Sequence, residues 1–224
     1  MPSQSIVIYG TRGVAREIHQ TIQDLAADGR AVTCKGFLVD QEYREAPIVH
    51  GLPVFGDAGW LIKNPDVWVT IGIGQTPPRL RIVQQITNHC GSKFITLQHP
   101  RSYVGGQVSI GSGSLVAPGA LISTDISVGN HVQLHAGCTI GHDTVIGDFV
   151  TVAPGANVSG RVEVGDGVFV GAGAIILPDI RIGCWTIIGA GAVVTKDAPA
   201  NVTMVGTPAR VVSQRPTGWH LEKS

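Results

Sequence analysis

The 224-residue sequence is poor in charge: Asp, Glu, Lys and Arg make up 14%, with 16 residues of each sign and a net charge of zero. No basic stripe is present, so the electrostatic case for a nucleic-acid partner is absent. The four cysteines, Cys34, Cys90, Cys138 and Cys184, form no CxxC and no spacing that reads as a zinc site. They are expected to be buried, reduced thiols in a cytosolic protein. No apolar run approaches the ~20 residues of a membrane span. The opening "MPSQSIVIYG" lacks the basic and long apolar regions of a signal peptide. Together these absences predict a soluble, cytoplasmic protein with neither a membrane nor a nucleic-acid partner. What is abundant is glycine, 30 residues in a chain that is 43% hydrophobic, which suits short strands and tight turns.

The first hundred residues alternate between two periods. "SIVIYG" (5–10), "VTCKGFLVD" (32–40), "DVWVTIGIG" (66–74) and "KFITL" (93–97) read as strands. "VAREIHQTIQDLAADG" (14–29) places Val14, Ile18, Ile22 and Leu25 at helical spacing and ends on glycine. "PPRLRIVQQITNHC" (77–90) opens on prolines and reads as a second helix. Strands alternating with helices predict a small parallel α/β domain over residues 1–100.

From Val104 the period becomes six. Aliphatic residues fall at every sixth position from 104 to 194 without a slip. A second small or aliphatic residue follows four positions later at Ala120, Val132, Cys138, Ala156, Ala174 and Ala192. This hexad is the signature of a parallel β-helix, predicted here over residues 101–212 with a tail at 213–224. Three hexads close one triangular coil, and the next coil stacks ~4.8 Å above it through strand hydrogen bonds.

The 18-residue coil allows residues to be stacked in columns. One column reads APGA, HAGC, APGA, GAGA, GAGA at 117–120, 135–138, 153–156, 171–174 and 189–192. It loses its side chains toward the C-terminus, leaving backbone that an extended ligand can approach. A second column stacks Thr124-Asp125, His142-Asp143 and Gly160-Arg161. An imidazole beside a carboxylate is a base with an orienting partner, and the Gly160 amide one coil above is a candidate oxyanion donor. The glycine column is expected to continue upward from this level. His131 and His135 share the coil of His142 and raise the thought of a metal site, but their columns differ, so no metal is expected. His19, His50, His89, His99 and His220 have no partner pattern and are assigned structural or exposed roles. Cys138 holds an inward position, which argues against a nucleophile.

"IVIYGTRGVAREI" sets Gly10 and Gly13 between a strand and a helix, where free amides attract phosphate. It is not the dinucleotide GxGxxG, and a mononucleotide or nucleotide-sugar diphosphate is the better fit. The candidate contacts are Gly10, Thr11, Arg12, Gly13, Asp40 at the end of the second strand, and Gly74.

With these motifs in view, the whole chain resembles the bacterial nucleotide-sugar N-acetyltransferases that act on 4-amino sugars, grouped with sialic-acid O-acetyltransferase-like hexapeptide proteins. The resemblance rests on "YGTRGVAREI", "GFLVD", "VTIGIGQTPPRLRI", "QHP", "GHDTVIGDFVTVAPGANVSG" and "VVTKDAPANVTMVGTPAR". It implies a left-handed β-helix, a homotrimer, and acetyl-CoA in the cleft between neighbouring β-helices. It further implies His142 as base, Asp143 as its acidic neighbour and Gly160 as oxyanion donor. CoA contacts are implied at Ala172, Gly173 and Ala190, and around Pro208 and Arg210. Two departures stand out. Thr151 occupies the place of a second histidine that contacts the acetyl end of the cofactor. Arg12 and Val14 replace the usual glycine and histidine of the first turn. The acceptor implied is the amine of a nucleotide-linked 4-amino-deoxy sugar. Alternatives are a sugar hydroxyl, as in sialic-acid O-acetylation, a zinc-dependent β-helix hydratase using His131, His135 and His142, and a non-catalytic nucleotide-sugar-binding protein.

Overall fold

The structure, a computed structural model, describes residues 3–91 and 93–221. It divides into two compact units, residues 1–74 with 78–100 and residues 75–77 with 101–224.

The first unit is built on β1 (Gln4–Tyr9), α1 (Gly13–Ala27), β2 (Val32–Leu38), β3 (Ile48–Val49), β4 (Leu52–Gly56), α2 (Gly59–Ile62), β5 (Trp68–Ile71), α3 (Thr76–Cys90) and β6 (Lys93–Phe94). The sheet order is β3-β4-β2-β1-β5-β6, parallel throughout except between β3 and β4. Ile6, Val7 and Ile8 in the central strand are fully buried, as a strand covered on both faces requires. The β3–β4 hairpin was not expected from the sequence. Its turn, His50-Gly51, takes φ of 47° and 77°, the doubly left-handed conformation of a tight hairpin.

Gly72, just beyond β5, sets how closely α1 approaches the sheet. A Cβ built there would lie 2.6 Å from both Cα and Cβ of Ala15, whereas one on Gly13 meets nothing within 4 Å. Gly72→Ala is therefore expected to destabilise the protein by about 1–3 kcal/mol through overpacking, while Gly13→Ala leaves the melting midpoint nearly unchanged. Urea or thermal melts of the two variants check the contrast.

The second unit is a left-handed parallel β-helix of two- and three-residue strands. Its first face carries Gln133–Leu134, Thr151–Val152, Phe169–Val170 and Ile187–Ile188, in register 18 residues apart. The second carries Leu121–Ile122, Thr139–Ile140, Asn157–Val158, Ile175–Ile176 and Val193–Val194. The third carries Ile126–Val128, Val145–Ile146, Glu163–Val164 and Arg181–Ile182. The hexad residues from Val116 to Val194, among them Ile122, Leu134, Val152, Val170 and Ile188, form one buried core. The 18-residue step ends at the last coil: Ile187 pairs with Thr203 and Ile188 with Met204. An antiparallel strand, Arg210–Gln214, then pairs with Val202–Val205 and finishes the first face.

Cys138 is buried as expected and its thiol is pushed up to about 12 by that burial, which keeps it neutral and non-nucleophilic. The expectation of uniformly buried thiols is corrected elsewhere. Cys34 and Cys90 are half-buried and Cys184 is exposed, because Cys184 lies on a turn between strands rather than at an inward hexad position.

Candidate active site

The corner between the second and third faces turns through residues held in the left-handed region: Gln107, Asp125, Asp143, Arg161 and Asp179, with φ between 55° and 63°. The backbone dictates this conformation, and aspartate is among the residues that enter it most readily. A left-handed residue at 143 lets the side chains of 142 and 143 meet. Nδ1 of His142 lies 2.6 Å from Oδ2 of Asp143. One coil below, Thr124 and Asp125 repeat the arrangement, with the hydroxyl donating to Oδ2 at 2.9 Å.

An ionised carboxylate only accepts, so this contact calls for the Nδ1–H tautomer, which in a neutral imidazole leaves the lone pair on Nε2. Nε2 has no hydrogen-bond partner among the described residues, and the side chains of His142 and Asp143 are 51% and 59% exposed. The imidazole lies over Gly160: a Cβ added there would sit 2.8 Å from Nε2. Any residue but glycine would displace the ring. The Gly160 carbonyl accepts from Asp179 N–H, while its own amide donates to no acceptor among the described residues. The structure thus brings His142, Asp143 and Gly160 together: an imidazole, a carboxylate bonded to it and, one coil above, a backbone N–H with no acceptor among the described residues.

The glycine column turns a different corner. Gly119, Gly137, Gly155, Gly173 and Gly191 take φ of 65–71° between the first and second faces. A Cβ on Gly155, Gly173 or Gly191 would meet nothing within 4 Å, so the column is an exposed strip of bare backbone. Ala172 and Ala190 lie on it, also exposed. The loop Gly206–Ala209 caps it: Val193 N–H donates to Gly206 O and Ala209 N–H to Val193 O. Pro208 is therefore continuous with Ala172, Gly173 and Ala190, and Arg210 follows on the antiparallel strand with its guanidinium on Ala209 O at 2.8 Å. This placement corrects the expectation that the glycine strip continues upward from His142. The two columns occupy opposite edges of the second face, because successive corners of a coil are six residues apart. Thr151, on the first face, is only 1% exposed. His131, His135 and His142 fall on three different corners of one coil, and no three metal-ligating side chains cluster among the described residues.

In the first unit, Gly10 closes β1 at φ 114°, with its amide on Leu38 O at 2.7 Å. Arg12 precedes α1, but its guanidinium turns to Glu45 at 2.7 Å, both side chains exposed, rather than toward the turn itself. Thr11 and Gly13 complete the turn. The Tyr9 hydroxyl donates to Asp40 Oδ1 at 2.6 Å; burial above all, then the carboxylate, drives the tyrosine well above its ordinary range, so it remains the donor. Gly74 is held by a group that no sequence pattern singles out. Arg79, fully buried, donates to the carbonyls of Ile73 and Gly74 at 3.0 Å. Burial lowers the guanidinium to about 9, and it is still charged at neutral pH.

Of the other histidines, His99 is buried with Nε2 2.7 Å from Asp24, His19 packs edge-on to Phe37 and His220 stacks on Trp185. No described helix is long and apolar enough to cross a membrane.

The coil of hexads, with a His-Asp pair at one corner, is the architecture of the hexapeptide-repeat acyltransferases. The family described as bacterial transferase hexapeptide (six repeats) matches residues 125–160 and 161–196. Among solved structures, WeeI from Acinetobacter baumannii is 31% identical with a TM-score of 0.83, over 94% of this chain and 100% of that one. A histidine-to-asparagine variant of perosamine N-acetyltransferase from Caulobacter crescentus, in complex with CoA and GDP-perosamine, is 28% identical with a TM-score of 0.82, over 94% and 97%. The acetyltransferase domain of PglB from Neisseria gonorrhoeae, in complex with acetyl coenzyme A, is 26% identical with a TM-score of 0.82, over 94% and 100%. No curated protein sequence matches the chain. The chain belongs to the bacterial nucleotide-sugar N-acetyltransferases of the hexapeptide-repeat family.

Proposed function

We propose that the chain is an acetyl-CoA-dependent enzyme that acetylates the amine of a nucleotide-linked 4-amino-deoxy sugar, with His142 as general base in a homotrimer. The observation that carries this is the His142–Asp143 pair at 2.6 Å, its Nε2 free and lying over Gly160. Support for the substrates comes from relatives that hold CoA with GDP-perosamine, or acetyl coenzyme A.

The sugar amine attacks the thioester carbonyl and loses a proton to Nε2. Asp143 keeps the imidazole oriented and balances its charge. The Gly160 amide donates to the developing oxyanion, a contact worth ~3 kcal/mol of barrier in comparable sites. As the tetrahedral centre collapses, the C–S bond breaks and the imidazolium returns the proton to the departing CoA thiolate. No acyl-enzyme is needed. The glycine strip with Ala172, Gly173, Ala190 and Pro208 takes the extended cofactor, and the Gly10–Gly13 turn with Asp40 and Gly74 takes the nucleotide diphosphate.

The placement of the two columns supports a site shared between copies. The base and the glycine strip border opposite edges of the second face, so one copy's base meets the strip of another. Between those edges the face exposes Tyr103, Leu121, Ile175 and, beside it, Leu177, at 62%, 47%, 39% and 38%, surface that side-to-side packing would cover.

The experiment is turnover with acetyl-CoA and a panel of GDP-, UDP- and dTDP-linked 4-amino sugars. CoA thiol release matched by amide formation is expected with one of them. Release with none, or equal release with the matching 4-hydroxy sugar, overturns the proposal.

A further inference from the structure

Above the base, the same corner carries charges of alternating sign. Asp143, Arg161 and Asp179 stack one coil apart, each left-handed at φ 57°, 57° and 63°. Arg161 N–H donates to His142 O at 2.8 Å, which fixes the arginine on the rung directly over the dyad. Its guanidinium is bidentate to Asp179, Nε to Oδ1 at 2.6 Å and Nη2 to Oδ2 at 2.9 Å. That fork is the geometry in which arginine binds a carboxylate best. Asp143, one rung below, offers an equivalent carboxylate, already in use by the imidazole. A free arginine at 161 would compete with His142 for it.

We propose that Arg161 and Asp179 are a positioning pair for the dyad: Asp179 holds the guanidinium away from Asp143 and so leaves that carboxylate to His142. This rests on His142 being the base. The charges are felt along the column. Asp179 is held below the ordinary carboxylate range by its hydrogen bonds to Arg161 first, with a smaller contribution from His142, and Arg161 is raised by Asp179 first and by Asp143 last. The other charged groups around this corner are Asp125 one coil below and, on the third face, Glu163 and Arg181, paired at 3.1 Å, with Asp197 accepting from Arg181 N–H. None of these three carboxylates is forked to Arg161.

The test is a double-mutant cycle on the full chain, read as kcat/KM against pH with acetyl-CoA and the accepted amino-sugar nucleotide. Asp179→Asn releases Arg161 onto Asp143. It is expected to lower kcat/KM about three- to tenfold, the coupling typical of residues in one charge network. It also moves the acid limb of the profile to lower pH, since the imidazolium loses carboxylate support. Arg161→Gln moves that limb to higher pH, because an unopposed carboxylate is added near the ring. Arg161→Gln in the Asp179→Asn background restores activity. Loss of charge alone shifts the limb in opposite directions without lowering the plateau, and a merely structural role gives a loss that Arg161→Gln does not rescue. Wild-type kinetics in Asp179→Asn, or a loss that Arg161→Gln does not repair, overturns the positioning role. His142→Ala, run alongside, separates that failure from failure of the base assignment, since a retained kcat there rejects the base itself.

Discussion

His142→Ala is expected to lower kcat by about 10²-fold or more while leaving the melting temperature and both KM values close to those of the parent. The size follows from general-base catalysis, which contributes roughly 10²–10⁴-fold. The split follows from where the contact matters: proton acceptance develops in the transition state and adds little to ground-state binding. Stability should not change, because the side chain is half-exposed and its one hydrogen bond among the described residues is to its neighbour Asp143. His142→Asn should do no better, as an amide cannot take the proton. Asp143→Asn should cost less, since the imidazole keeps its place over Gly160 and loses only orientation and charge support. Steady-state kinetics with the accepted sugar nucleotide decide it, and a near-parental kcat in His142→Ala at neutral pH is fatal to the mechanism.

Loss of assembly is expected to be as damaging as loss of the base. Leu121→Glu combined with Ile175→Glu places carboxylates on the exposed apolar second face. In the proposed trimer these groups would be buried without partners, at a cost that a desolvated charge makes large. The coil itself should survive, because Ile122 and Ile176 beside them point inward and are untouched. Sedimentation should show monomer with parental circular dichroism. Activity should fall by about 10²-fold or more, since misplacement of reacting groups by an ångström is enough for that. A double variant that is monomeric and fully active rejects the shared site.

The β-helix was legible because its rule is local and repeated. Each inward residue recurs at six, each rung at eighteen, and the structure keeps both from Val116 to Val194. His142, Asp143 and Gly160 could be brought together from numbering alone for the same reason. The arithmetic hid which corner a column turns, so the glycine strip was placed beside His142 when it lies across a face. It also failed where the repeat ends, at the last coil that steps from Ile188 to Met204. In the α/β unit no period links distant residues. The Arg12–Glu45 pair, the close approach of Gly72 to Ala15 and the hold of Arg79 on Ile73 and Gly74 are tertiary choices that pattern does not encode. The charge alternation at 143, 161 and 179 was visible at eighteen-residue spacing and needed only the stacked reading to be noticed.

Thr124-Asp125 and His142-Asp143 share one backbone conformation and one side-chain contact. The coil therefore behaves as a graduated scale. Moving a base by one graduation means exchanging two side chains, and it displaces the chemistry by ~4.8 Å along the axis with the scaffold unchanged. Longer or shorter sugar arms could be served by choosing a rung, with no loop to rebuild and no turn to retrain.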